Sequence, residues 1–468
     1  MVEIITNNCY SFLNTSDDDL KRFLWKALRF REKNYFHSRL YKQKLWDGFK
    51  DFFKKETGRF LTGLLPEIEL VLKKKKIAYR IYDKRDGFEY LNKEIDENFL
   101  SKDFPLRDYQ VDLVNQFSKY KRGIIFAPTS AGKTAMMISV LKNLPPKIPT
   151  LILANKKTLL NENYKRLIES DFTNVGRLYD KYEDINMITC ATVQSIHKIP
   201  KFVKNTKLII VDEIHDMMSK TSKKCYNKLH KCSSRLALSA TPFKFGGTDK
   251  VQKYEVKGYF GPVLKSKCAG EGGILTTKEL QDRNILSKSI CTFYPITSPE
   301  LPYAIYLDAV TQGIAESIHF HKIVKKLVSK LKGRTLILVE RIAHGDVLSE
   351  MIPGALWVRG KDNLETRGHV IETLQKSESA VGIATQGIFN AGINVFVHNL
   401  INAAGGKADH AIIQRMGRGL RTADDKDVLN YYDFIFNINE YLLAHSNKRV
   451  KILKEEGHEV IIKDELDF

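Results

Sequence analysis

Two short stretches of this sequence hold residue types whose spacing can bind and cleave a nucleoside triphosphate. The first is GIIFAPTSAGKTAMM (123–137). An apolar run that reads as a strand leads into Thr129, Ser130, Ala131 and Gly132, and then into a helix. Small residues let backbone N–H groups converge on phosphate oxygens, and a helix N-terminus adds a favourable dipole. Lys133 then supplies a point charge for the β- and γ-phosphates, and Thr134 a hydroxyl for Mg²⁺. The strict phosphate-loop pattern GxxxxGK[ST] opens with glycine, and here that position is Ala127. The second stretch is LIIVDEIHD (208–216). A buried strand would deliver Asp212 and Glu213 to its carboxyl end, where ligands bind in open α/β sheets. Asp212 can hold the Mg²⁺ shell, and Glu213 can position and polarise an attacking water. Acidic pairs at strand ends are common on ordinary surfaces; a place downstream of a phosphate loop makes this pair specific.

Three further runs fit around these. In RLALSATPF (235–243), Ser239 and Thr241 are small hydroxyl residues at another strand end, with His215 as a partner. They can link the phosphate site to a second site, or simply end the strand before Pro242. In HAIIQRMGRGLR (410–421), Gln414, Arg418 and Arg421 fall at i, i+4 and i+7, on one helical face. That face can present two guanidinium groups to a phosphate, as arginine fingers do. Gly417 and Gly419 cost a helix about 1 kcal/mol each relative to Ala, which implies close backbone approach or a local break. Upstream, DFPLRDYQ (103–110) offers Gln110 for paired donor and acceptor contacts to an adenine edge, with Arg107 to anchor the base. A helix start at Leu106–Arg107 is compatible with that reading.

Such residues must be set at the ends of strands, and the chain has the strands to do it. From Phe104, the apolar runs GIIFA, TLILA (150–154), KLIIVDE (207–213) and RLALSAT (235–241) alternate with helical stretches. The alternation resumes in RTLILVE (334–340), ALWVRG (355–360), AVGIAT (380–385) and HNLINAA (398–404). Buried parallel strands joined by crossover helices read this way, so two doubly wound lobes are expected. Residues 1 to about 100 differ: they are basic and rich in aromatics, with a turn at Asp47–Gly48 and a helix over Asp17–Phe30 capped by Ser16. This predicts a small α+β domain. Lys73–Lys76 is either a solvated helix end or a nucleic-acid contact.

Composition narrows the partners. The 468 residues suit about three domains, and 43% hydrophobic residues can fill several cores. With 75 Lys+Arg against 55 Asp+Glu, the formal charge of +20 points to a polyanion. No apolar run reaches the roughly 20 residues that span a bilayer, so no membrane partner is expected. The start MVEIITNNCYSF lacks the regions of a signal peptide. The six cysteines form no CxxC pair, so neither a zinc site nor a disulfide framework is indicated and a reducing cytoplasm is expected.

Taken in order, LRDYQ, APTSAGKT, VDEIHD, LSATP and QRMGRGLR resemble the superfamily 2 helicases, over residues 104 to about 440. The resemblance implies two tandem RecA-like doubly wound lobes, ATP and Mg²⁺ as cofactors, and an ATP site with Lys133, Asp212, Glu213, Gln414, Arg418 and Arg421. It implies further roles. ITCATVQSI (188–196) is similar to a segment that contacts the nucleic-acid backbone, which gives Thr192 and Gln194 that task. IATQGIFNAGINV (383–395) resembles the motif that bridges strand and nucleotide, with Thr385 at a DNA phosphate and Gly392 and Asn394 near ATP. Where the family usually has Asp, this chain has Asn394.

DEIH also occurs in DEAH-type RNA helicases, but those end in QRxGRAGR and lack LRDYQ. The ending GRGLR and the run GYFGPV (258–263) are closer to DNA motors of the XPB, restriction-translocase and UvsW groups. KLWDGFKDFF (44–53), followed by RFLTGLL and a basic helix, resembles the N-terminal domain of phage UvsW-type helicases. That resemblance implies unwinding and branch migration of forks, Holliday junctions and D-loops, with 3′-to-5′ travel. It also implies a host-cytoplasmic monomer that meets replication or recombination proteins. Trp46, beside Tyr41, Lys42, Lys44 and Lys50, can stack or wedge at a junction, or can be core. An RNA helicase and a duplex translocase without strand separation remain the alternatives. The domain scheme is then a DNA-binding domain (1–100), lobe 1 (101–265), a connecting segment (266–300), lobe 2 (301–440) and a tail (441–468).

Overall fold

The computed structural model describes residues 2–243, 249–297, 303–359, 362, 364–387, 396–405, 412, 416, 420 and 428–468. It divides into two compact units: Met1–Ala127 with Gly132–Leu275, and Pro128–Ala131 with Thr276–Phe468.

The first unit holds two sheets. Its seven-stranded sheet runs Tyr182–Asp184, Val175–Tyr179, Ile188–Ala191, Thr150–Leu153, Leu208–Asp212, Ser234–Ser239, Arg122–Phe126. All neighbours are parallel except the first two. Leu208–Asp212 and Ser234–Ser239 are buried at every position, as strands covered on both faces must be, and this explains their unbroken apolar runs. The register sets Asp212 beside Leu238 and Ser239 beside Phe126, so three strands deliver their carboxyl ends to one edge. The GYFGPV run extends this sheet: Val263 bridges Ile124 in parallel, flanked by 2.9 Å bonds from Ile124 N–H to Pro262 O and from Leu264 N–H to Ile124 O.

The N-terminal sheet runs Phe53–Lys54, Arg59–Leu61, Tyr10–Asn14, Val2–Thr6, Tyr79–Asp83, with the last pair parallel and the rest antiparallel. A separate ribbon pairs Arg29–Arg31 with Phe49–Asp51. The helix expected over Asp17–Phe30 spans Asp18–Ala27, and its cap is Asp17 rather than Ser16. The Asp17 carboxylate accepts the Leu20 N–H at 2.8 Å, and the chain beyond Leu28 is needed as a ribbon strand.

The second unit carries an all-parallel sheet ordered Leu356–Val358, Val381–Thr385, Thr335–Val339, Asn399–Asn402, Val428–Asn437, Lys288–Thr297, Glu459–Ile462. Lys288–Thr297, in the stretch read from sequence as connecting, and Glu459–Ile462, in the tail, are members of this sheet. The helix Glu440–Glu455, capped by Asn439, buries Leu442, Ser446, Arg449, Val450 and Leu453. Among the described residues no helix is long and apolar enough to cross a membrane.

Candidate active site

The phosphate loop joins the strand Arg122–Phe126 to the helix Lys133–Lys142. Two of its residues take left-handed backbone, Ser130 at φ 68° and Gly132 at φ 83°. Alternation of hand along successive residues turns N–H groups inward, the concavity that anions fill. Gly132 also has no room for a side chain, because a Cβ there would collide with Gln110 Nε2. Lys133 Nζ donates to Ala127 O at 3.1 Å, and Ala127 N–H donates to Ser239 O at 3.3 Å. The loop is thereby tied to the LSATP strand.

Asp212 is 8% exposed, and its hydrogen-bond donors are neutral: Asn163 Nδ2 at 3.1 Å and the Glu213 N–H at 3.0 Å. Burial first, and the Glu213 charge second, push its carboxyl up to about 6, against the pull of Asn163 and Lys133. Such an acid is short of positive charge, and a divalent cation at this strand end would supply it. Asn163 sits on the helix Lys157–Glu169 and belongs to no motif, so sequence reasoning missed it. Its place in register with Leu160 and Leu167, the buried apolar positions of that helix, was the available signal.

Glu213 turns the chain in the left-handed region at φ 51°, uncommon for a non-glycine residue. Ser239 Oγ donates to Glu213 Oε2 at 3.0 Å and accepts the Thr241 N–H at 3.0 Å. His215 Nδ1 lies 3.0 Å from Ser239 Oγ, 3.3 Å from Glu213 Oε2 and 3.5 Å from Thr241 Oγ1. Because the serine proton is spent on Glu213, the Nδ1 position must carry the hydrogen it shares with Ser239. Glu213, His215, Ser239 and Thr241 therefore form one network, buried except at the half-buried Glu213.

Gln110 is 4% exposed, and its Oε1 accepts the Arg107 N–H at 2.9 Å, which fastens the start of the helix Asp108–Tyr120. Arg107 Nη1 reaches Tyr109 OH at 3.3 Å. Both residues thus serve the start of this helix, and Gln110 Nε2 lies beside Gly132 of the loop.

The residues expected at nucleic acid lie on separate elements. Thr192 is buried with its Oγ1 2.8 Å from Ser195 Oγ, while Gln194 is exposed. Thr385 ends the strand Val381–Thr385 and is partly exposed. Trp46 is half-buried and donates Nε1–H to Phe49 O at 2.7 Å. With Phe36, Tyr41, Lys42, Lys44 and Leu45 it lines an open groove of about 830 Å³. Phe36 is 51% and Leu45 73% exposed, so these apolar groups are not core. Lys50, expected beside Trp46, instead pairs with Glu255. Gly392, Asn394, Gln414, Arg418 and Arg421 lie outside the described residues. Their neighbours Ile412, Met416 and Leu420 are buried, and Leu420 O accepts the Ser287 N–H at 2.9 Å.

Residues 103–244 match the family described as type III restriction enzyme, res subunit. The fold is that of a fragment of a putative HsdR subunit of a type I restriction enzyme from Vibrio vulnificus, with a TM-score of 0.55 and 16% identity over 79% of this chain and 71% of that one. The matched family and the relatives make this chain similar to ATP-hydrolysing superfamily 2 helicases, and its parallel sheets have the mixed α/β fold of RecA-like lobes. Within that class it resembles the UvsW type. It is 23% identical over 396 residues to the ATP-dependent DNA helicase uvsW of Enterobacteria phage T4, covering 76% of each chain. To the DNA 3′-5′ translocase XPB2 of Sulfurisphaera tokodaii it is 23% identical over 400 residues, covering 75% of this chain and 89% of that protein.

Proposed function

We propose that this chain is an ATP-driven DNA motor that unwinds and branch-migrates forks, Holliday junctions and D-loops, travelling 3′ to 5′. The observation that carries the motor chemistry is the convergence of Gly132, Lys133, Asp212 and Glu213 on one sheet edge. The DNA half rests on the UvsW and XPB2 relatives, whose names carry DNA, and on the exposed basic aromatic groove at Trp46.

The residues fit ATP and Mg²⁺. The backbone at Ser130–Gly132 is shaped for phosphate, and Asp212 is a buried acid with neutral donors. Thr134 and Asp212 would hold the cation, which neutralises charge on the β- and γ-phosphate oxygens when bound. Lys133 swings from Ala127 O to the phosphates. Gln110 and Arg107 hold the base. Glu213 orients water for in-line attack, steadied by Ser239, with His215 and Thr241 passing the change onward. The QRMGRGLR spacing assigns Gln414, Arg418 and Arg421 to charge stabilisation, and the family resemblance assigns Gly392 and Asn394 to the nucleotide. Thr192, Gln194 and Thr385 grip the backbone, while Lys44 and Trp46 meet the junction.

An ATP-dependent unwinding assay tests this, comparing forks, Holliday junctions, D-loops and duplexes with either overhang, beside RNA. Branched DNA and a 3′ loading strand should be preferred. Strand separation confined to RNA, or ATP hydrolysis on duplex DNA without separation, would overturn the reading. Trp46→Ala should weaken fork affinity by about 1–2 kcal/mol, measured by fluorescence anisotropy.

A further inference from the structure

The helix Lys250–Phe260 belongs to two cores at once. Val251 is buried in the N-terminal core, with Tyr254 packed against it. The Tyr254 ring centroid lies 4.5 Å from Phe30 and 5.8 Å from Phe52. Val256, Tyr259 and Phe260 lie in the core beneath the ATP-site sheet. The fit is close: a Cβ at Gly63 would stand 2.6 Å from Gly258 O, and one at Gly258 would stand 2.7 Å from Leu61 Cδ1. The N-terminal domain is therefore fixed to this helix, not tethered beside it.

Polar contacts continue through the same helix. Gln252 is 7% exposed and donates Nε2–H to Pro242 O at 3.2 Å. Pro242 follows Thr241, whose N–H binds the Ser239 Oγ that donates to Glu213. Nearly one turn beyond Gln252, Glu255 is 6% exposed and accepts from Lys223 at 2.7 Å and from Lys50. Lys50 lies in the ribbon strand Phe49–Asp51, and Phe49 O holds the Trp46 indole at 2.7 Å. A buried carboxylate cannot shed an ammonium partner cheaply, and a short helix does not absorb displacement.

We infer that the helix Lys250–Phe260 couples the ATP site to the basic aromatic groove, with Gln252 and Glu255 as its positioning residues. Movement at Ser239–Pro242 during hydrolysis reaches Gln252, and Glu255 passes it to Lys50 and so, through Phe49, to Trp46 in the lining of the groove. The inference rests on the proposal that the groove meets DNA.

The test uses the full chain carrying Gln252→Ala, Glu255→Gln or Glu255→Asp. Three quantities are measured: hydrolysis without DNA, hydrolysis saturated with forked DNA, and Kd for the fork. The DNA-saturated kcat should fall about fivefold or more in Gln252→Ala and Glu255→Gln, with basal hydrolysis and Kd held within about twofold. Glu255→Asp should recover most of the loss. If Glu255→Gln fails to fold by circular dichroism, Gln252→Ala decides alone. Stimulation that survives Gln252→Ala, or basal and stimulated rates falling in the same proportion, overturns the coupling but not the DNA motor. Absence of stimulation in the unsubstituted protein overturns the DNA reading and this inference with it.

Discussion

Asp212 in the first unit and Asp433 in the second are both buried acids on parallel sheets, and their surroundings differ in kind. Asp212 is met by an amide and a backbone N–H. Asp433, fully buried, is met by Arg449 Nε at 2.8 Å and Nη2 at 2.9 Å, by Tyr431 OH at 2.7 Å, by Asn402 Nδ2 at 3.0 Å and by the Phe434 N–H at 2.7 Å. Arg449 also donates to Gly405 O at 3.2 Å and Phe434 O at 2.9 Å, so the guanidinium is matched as well. A saturated buried pair fixes structure; an acid left short of charge waits for a ligand. The first unit keeps its unmet charge at the strand ends, and the second spends its own on holding strands to the tail helix.

The contrast can be broken most severely at Arg449. Arg449→Met strands Asp433 without a cation and should cost about 3–5 kcal/mol by urea denaturation. Hydrogen exchange should localise the loss to peptides of the second unit.

The next effect is acid lability of that unit. Burial, then the neighbouring His321, lower His344 to about 3, and burial lowers His458 to about 4. Neither ring nitrogen of His344 has a hydrogen-bond partner among the described residues. Folded pKa values below the ordinary one mean that the unfolded chain takes up protons first. The stability is fully present above about pH 6.5 and is lost as pH falls toward the folded values, by about 1.4 kcal/mol per unit per histidine. From pH 6.5 to 4 the second unit should lose about 3 kcal/mol through His344 alone. His344→Leu should remove that share of the slope in denaturation series at each pH.

The smallest effect has the opposite sign. Asp212→Asn relieves a charge that the fold disfavours, so the ligand-free protein should gain about 1 kcal/mol in thermal or urea melts while Mg²⁺-dependent hydrolysis is lost. A destabilised variant would mean that Asp212 is structural, like Asp433.

How much of this could be read beforehand follows from locality. Runs such as LIIVD and TLILV are apolar throughout because both sheet faces are covered, and they announce themselves as strands. Tyr431–Phe434 does not, because Asp433 interrupts it, and only Arg449, distant in sequence, makes that acid tolerable. The phosphate loop, DEIH and LSATP are local strings, and Glu213, His215, Ser239 and Thr241 from the last two meet in one network. Asn163 and Gln252 belong to no string and become visible only when helices pack. Lys50 stood among the basic residues beside Trp46, and sequence could not show that it pairs with Glu255 instead. A charge count of +20 points toward a polyanion, but not to which lysines remain available to it.

The central claim is that the unmet charge at the first unit's strand ends drives ATP hydrolysis. Steady-state hydrolysis by Glu213→Gln at saturating forked DNA, with ATP and DNA binding measured in parallel, tests it most directly. In Glu213→Gln, kcat should fall roughly 100-fold or more with both affinities retained. Hydrolysis at the unsubstituted rate would contradict it.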